Sequence, residues 1–147
     1  MSDTTTQPAR IAFVCVQNAG RSQMATAFAE RDRERRSLDV TILTGGTHPA
    51  DAVHDEVIDA MADLGIDLSD RTPRGITTDE LQSCDYVATM GCSTLELGDT
   101  PTVDVRDWAL DDPDGEAPDR VRDIRDEIES RVSALFDEIE ADGGAGA

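Results

Sequence analysis

Cys15 and Arg21 lie in the stretch VCVQNAGRSQMA, separated by a small, polar, glycine-bearing loop. IAFVCV, residues 11–16, is a continuous run of apolar, largely β-branched and aromatic residues, the pattern of a strand covered on both faces. Arg21 to Glu30 follows at once, with Met24, Ala25 and Phe28 on one helical face. Gln17 to Gly20 must therefore turn sharply between a strand end and a helix start. Such a turn directs successive backbone N–H groups into one concavity at a helix N-terminus, which suits a tetrahedral oxyanion. Val16, Gln17, Asn18, Ala19, Gly20, Arg21 and Ser22 are the expected oxyanion-binding residues. The same donors favour the thiolate of Cys15, a hydroxyl at Ser22 can add a hydrogen bond to it, and the planar fork of Arg21 can hold two anion oxygens during attack. With 13 basic residues the bare spacing is weak; its place between strand and helix gives it weight. The bland alternative is a small buried cysteine beside a solvated arginine.

The remaining elements set where this loop must sit. VTILTGG (40–46) reads as a second strand ending in glycines, and Ala52–Leu64 as an amphipathic helix from the spacing of Val53, Val57, Met61 and Leu64, closed by Gly65. Thr77 with Glu80 marks a capping box opening a short helix to about Cys84. YVATM (86–90) and TVDV (102–105) read as third and fourth strands, and Val121, Ile124, Ile128, Val132, Leu135, Phe136 and Ile139 trace a long final helix. Alternating strands and helices predict an α/β single-domain three-layer sandwich, a four-stranded parallel sheet with helices on both faces. Ligands of such sheets bind beyond the carboxyl ends of the strands. Residues 10–140 form the expected catalytic domain, with flexible tails at 1–9 and 141–147.

The chain has 147 residues and a formal net charge of −19, and all 13 of its basic residues are arginine. So negative a field repels nucleic acid and anionic membranes, and a lysine-free acidic surface fits a halophilic protein kept soluble in concentrated salt. A small anionic substrate must then be drawn in by local donors. No apolar run is long enough for a membrane span and the N-terminus lacks a signal-peptide pattern, which predicts a cytoplasmic protein. Three cysteines at irregular spacing argue against a disulfide scaffold, and no CxxC-type metal spacing occurs, so no metal is expected. Arg31, Arg33, Arg35 and Arg36 read as a solvated run. His48 and His54 could touch the anion, although a surface loop and a helix face are their plainer places. Cys84, ending a helix before the third strand, is expected in the core on the far side of the sheet.

Cys15-x5-Arg21-Ser22 resembles the phosphate loop of the low-molecular-weight protein tyrosine phosphatase superfamily, which includes thiol-dependent arsenate reductases. Gln23-Met24-Ala25, the segment GGTHPADAVHDEVIDAMADLGIDLS and the cysteine of YVATMGC resemble the reductase branch more closely. The resemblance covers about residues 10 to 137. It implies an arsenate reductase in which Cys15 attacks arsenate and a second thiol resolves the adduct. The alternatives are a protein tyrosine or small-molecule phosphatase working through a phosphocysteine, and a non-catalytic oxyanion-binding module. The resemblance assigns the general acid to Asp112 in WALDDPDG, with Asp107, Asp111 and Asp114 as competing candidates, and the resolving thiol to Cys92. It makes Asn18 the brace of the loop. Asp114 and Gly115 stand where phosphatases of this kind commonly carry aromatic residues, so a deep aromatic cleft is not expected. Some relatives bind potassium through a carboxylate on the first helix, where this chain has Thr26. STLELG after Cys92 holds no further cysteine, so the relay stops at two thiols and an external thiol or a thioredoxin-like protein completes the cycle as co-substrate; no tightly bound cofactor is implied. Trp108 is expected to pack the acid loop.

Overall fold

The computed structural model describes residues 9–90, 104–108, 110–111, 113 and 115–145, with side chains to 141. Four strands, β1 (Ala9–Cys15), β2 (Val40–Gly46), β3 (Tyr86–Met90) and β4 (Asp104–Asp107), form one parallel sheet in the order β2-β1-β3-β4. The chain leaves β1 toward β2 on one side and later crosses to β3 on the other, so β1 is the switch point. A crevice opens there at the carboxyl edge. β1 pairs with both neighbours in register, with Cys15 opposite Gly46 on one side and Met90 on the other.

Alternation along β1 divides the core. Ile11, Phe13 and Cys15 face a large apolar layer containing Met24 and Phe28 of α1 (Arg21–Arg36), Val57 and Met61 of α2 (Asp55–Ala62), and Ile128 and Phe136 of α4 (Pro118–Ala145). Ala12 and Val14 face a smaller one with Leu81 of α3 (Thr78–Gln82), Cys84 and Val87. Helices thus cover both faces, as the alternating pattern implies. The capping box is present: Thr77 Oγ1 accepts from Glu80 N–H while the Glu80 carboxylate accepts from Thr77 N–H. Among the described residues no helix is long and apolar enough to cross a membrane.

Several limits differ from those read in the sequence. The first strand begins at Ala9 and the last helix runs through its glycines to Ala145, beyond the expected 10–140 boundaries, because extending an existing helix is far easier than nucleating one. α1 continues to Arg36 and stops where Ser37 turns left-handed at φ 53°. The arginine run is therefore helical and only partly solvated. Arg31 pairs with Glu129 and Arg36 with Asp137 and Glu140 on α4, and their guanidinium groups lie over Phe28 and Phe136. α2 is shorter than its apolar spacing suggested. Leu64, 40% exposed, falls past its end, where Gly65 at φ +77° reverses the chain and Leu68 takes the core place instead. β4 runs past Val105 to Asp107.

The glycines ending β2 set its distance from the loop after β1. A Cβ on Gly46 would lie 2.5 Å from Val16 O and 2.9 Å from Asn18 N, both backbone atoms that cannot swing aside. We expect Gly46→Ala to cost about 1–3 kcal/mol of stability by overpacking, read as a lowered denaturant midpoint, with anion affinity falling in parallel. A variant of wild-type stability and affinity would show that the loop position is not fixed by this contact.

Candidate active site

The loop from Cys15 to Arg21 has almost all its carbonyls occupied from outside. Val16 O accepts from His48 N–H at 2.7 Å, Gln17 O from Ala50 N–H at 2.9 Å, and Ala19 O from His54 N–H at 3.0 Å, all supplied by the segment between β2 and α2. Asn18 O accepts from Gln23 Nε2 at 3.0 Å and Gly20 O from Met24 N–H at 3.0 Å. In a planar trans peptide the N–H points opposite the C=O. Fixing the carbonyls of Val16 to Gly20 outward therefore turns the N–H groups of Gln17 to Arg21 into the turn. One of them is already directed at the thiol, for Asn18 N–H donates to Cys15 Sγ at 3.2 Å.

Asn18 holds the turn in shape. It takes a left-handed backbone, φ 53°, which asparagine tolerates better than most residues, and is fully buried. Its Nδ2 donates to Ser22 Oγ and to Thr44 Oγ1, both at 2.8 Å, while Oδ1 accepts from Arg74 N–H at 3.0 Å and Gln23 Nε2 at 3.1 Å. Every polar atom of the amide is used. Ser22 Oγ lies 2.8 Å from Cys15 Sγ, so the brace continues to the sulfur. Thr26 Oγ1 donates to Ser22 O at 2.7 Å.

The helix behind the loop is left open at its N-terminus. α1 begins after Gly20 without a side-chain cap and has no acidic residue in its first turn, whereas the first turns of α2, α3 and α4 all carry acids. In a chain of net charge −19, that spares the positive end of α1 from neutralisation. Arg21, 9% exposed, lies across the loop and its Nη1 donates to Leu110 O at 3.0 Å.

The segment after β4 folds over this arrangement. Trp108 N–H donates to Thr89 O at 2.8 Å, and the indole packs on Phe13 with centroids 6.0 Å apart, so the ring anchors the start of the segment in the core. Pro113 Cγ lies 3.1 Å from where a Cβ of Gly20 would stand. Asp107 accepts from Thr89 Oγ1 and Asp111 pairs with Arg120. Asp112, Asp114 and Cys92 lie outside the described residues. His54 sits at the rim, its Nε2 3.1 Å from Gln17 Oε1, while His48 Nδ1 lies 3.4 Å from Thr47 Oγ1. Cys84 lies at the opposite end of β3 in the smaller core, its Sγ 3.4 Å from Glu80 O, and burial pushes its thiol up. Among the described residues no cluster of His, Cys, Asp and Glu could hold a metal ion. Thr44, Arg74 and Gln23 as partners of Asn18 escaped sequence reasoning: Gln23 betrays itself only by burial, and the other two are 26 and 56 positions away.

Residues 10–145 match the low molecular weight phosphotyrosine protein phosphatase family. The chain belongs to that family. Within it, a Halobacterium salinarum protein named "Putative arsenate reductase" is 68% identical over 143 residues, 96% of this chain and 98% of that protein. The thioredoxin-dependent arsenate reductase of Corynebacterium glutamicum superposes with a TM-score of 0.77 at 30% identity, over 94% of this chain and 65% of that one. A structure described as an arsenate reductase in the phosphate binding state superposes with a TM-score of 0.75 at 29% identity, covering 89% and 98% of the two chains.

The two described thiols of this family member differ in setting, and alkylation should separate them. Both are buried, but Cys15 accepts from Asn18 N–H and meets Ser22 Oγ at the loop, whereas Cys84 packs in the smaller apolar core. At neutral pH iodoacetamide should modify Cys15 in the folded protein, phosphate or arsenate should slow that reaction, and Cys84 should react only after denaturation. Equal labelling of the two cysteines, or labelling of Cys15 indifferent to the anion, would contradict the site.

Proposed function

We propose that the protein is an arsenate reductase that uses Cys15 as nucleophile and a second thiol as resolving group. One observation carries this reading over a phosphotyrosine phosphatase. The chain has five aromatic side chains, and none is free to line a mouth for an aryl substrate. Phe13, Phe28 and Phe136 are wholly buried, Trp108 is 7% exposed against Phe13, and Tyr86 starts β3 at the far end of the sheet beneath Arg106. The rim is instead made of Gln17, Thr47, His48, Pro49 and His54, polar or small groups suited to an anion without an aromatic tail. The 68% identity to the Halobacterium protein, from a halophile, supports the same reading and agrees with the acidic composition.

The chemistry runs in two displacements. The Cys15 thiolate attacks arsenic(V) while the N–H groups of the loop and the Arg21 guanidinium hold the oxygens on which charge accumulates. A sulfur–arsenic bond forms and an oxygen leaves as hydroxide, protonated by Asp112 to water. A second thiolate, that of Cys92, then attacks Cys15 sulfur. The sulfur–arsenic bond breaks with its electron pair on arsenic, releasing arsenite and leaving a Cys15–Cys92 disulfide. Two thiols have been oxidised and arsenic reduced by two electrons. An external thiol or a thioredoxin-like protein returns the disulfide to thiols. The site's own donors draw the anion in against the net charge of −19.

Arsenate reduction and aryl phosphate hydrolysis, assayed side by side with several thiol donors, test this directly. Cys92→Ser should abolish arsenite release while sparing most of any aryl phosphatase activity, and Cys84→Ser should spare both. Aryl phosphate hydrolysis without thiol-dependent arsenite release would instead make the protein a phosphatase. Full arsenate reduction by Cys92→Ser would replace the internal relay with a one-cysteine mechanism resolved by an external thiol.

A further inference from the structure

The segment after β4 meets the rest of the molecule at several points, and one contact comes from an element the reaction does not otherwise use. Gly115, at φ +76°, donates its N–H to Glu56 Oε2 at 3.0 Å. Glu56 belongs to the first turn of α2 and is half-buried. Two residues earlier, Pro113 is buried in the notch left by Gly20, a spot also bounded by Val57 Cγ2 and His54 Cδ2 of the same turn of α2. On the other flank, Leu110 O receives Arg21 Nη1. Leu110 is thus held by Arg21, Pro113 lies against Gly20 of the loop after β1, and Gly115 is held by Glu56.

We infer that Glu56 is a positioning residue for the proton donor: its carboxylate fixes the backbone N–H of Gly115 and so holds the loop against the phosphate loop in the geometry that proton transfer needs. This rests on the reading of that loop as carrier of the general acid. Proton donation requires the donor within about 2.6–3.2 Å of the leaving oxygen, so an anchor that sets the loop by a fraction of that distance governs the step without touching substrate. α2 ties the two halves of the site together through the same turn, because His54 N–H holds Ala19 O while Glu56 holds Gly115. What Glu56 supplies is an acceptor oxygen rather than charge. Glutamine keeps it; alanine does not.

The test compares wild type, Glu56→Ala, Glu56→Gln and Asp112→Asn by arsenite release across pH, by phosphate protection of Cys15 from iodoacetamide, and by hydrogen exchange at the Gly115 amide. Glu56→Ala should lower kcat/KM for arsenate about tenfold, within the range that general acid catalysis contributes. It should also flatten the fall in rate at high pH, as Asp112→Asn does, and speed exchange of the Gly115 amide about tenfold. Glu56→Gln should stay within about twofold of wild type in all three. Phosphate protection should be alike in all four proteins, which separates positioning of the acid from damage to the anion site. Wild-type rate and pH profile in Glu56→Ala would overturn the inference. So would a Glu56→Gln variant as impaired as Glu56→Ala, since that result would mean Glu56 acts through its charge on the helix dipole. If the wild type releases no arsenite, the reductase reading fails by itself; Gly115 exchange still decides on Glu56, and unchanged exchange in Glu56→Ala overturns its role.

Discussion

Everything at the site depends on where the loop's carbonyls are sent. A turn between strand and helix has a few peptide groups to orient, and each can present either its oxygen or its N–H to the interior. Here the segment after β2 supplies three backbone donors to the oxygens of Val16, Gln17 and Ala19, while Gln23 and the first turn of α1 take those of Asn18 and Gly20. What remains inward are the loop's N–H groups, of which that of Asn18 donates to Cys15 sulfur. The arrangement demands that β2 come very close to the loop, which is why its last residue is glycine, and that one loop residue adopt a left-handed backbone, which is why Asn18 is there with every side-chain polar atom bonded. Sheet register, glycine placement and the asparagine brace are thus one constraint seen at three levels.

Charge poses a second demand on the same place. With 32 acidic residues the chain has carboxylates in the first turns of α2, α3 and α4, where they help to stabilise those helices, yet none in the first turn of α1. Elsewhere the arginines are spent on structure. Arg31 and Arg36 join α1 to α4, and Arg106 joins β4 to α4 by pairing with Asp104 and Glu138, lowering both carboxyls through hydrogen bonds and charge. These pairs are largely exposed, so concentrated salt screens them and each contributes little alone. Arg21, by contrast, is buried at the end of the loop after β1, where its Nη1 donates to the Leu110 carbonyl.

The parts of this arrangement readable in the sequence were those written locally. β1 and the turn after it, the capping box at Thr77 and the stripe of α4 each declare themselves within a few residues, and so did Cys15, Arg21 and Ser22. Long-range features did not. Asn18 could be named as a brace, but Thr44 and Arg74 as its partners have no spacing that announces them, because parallel strands bring together residues far apart in the chain. Glu56 meets Gly115 across 59 positions, a separation that no local pattern announces. Leu64 continued an apolar spacing past the end of α2 because periodicity does not register the reversal at Gly65. The arginines of α1 looked solvated because the acids that pair with them lie about a hundred positions later, on α4.

In the proposed function, Cys15 and a second thiol of the same chain carry both electrons to arsenic. This is tested most directly in a single turnover: fully reduced protein, freed of external thiol, is mixed with arsenate, arsenite is counted, and the disulfide is located by mass spectrometry of the digested protein. Close to one arsenite per chain is expected, with a disulfide joining Cys15 to Cys92 and Cys84 still free. No arsenite until external thiol is added, or a disulfide that leaves out Cys15, would contradict it.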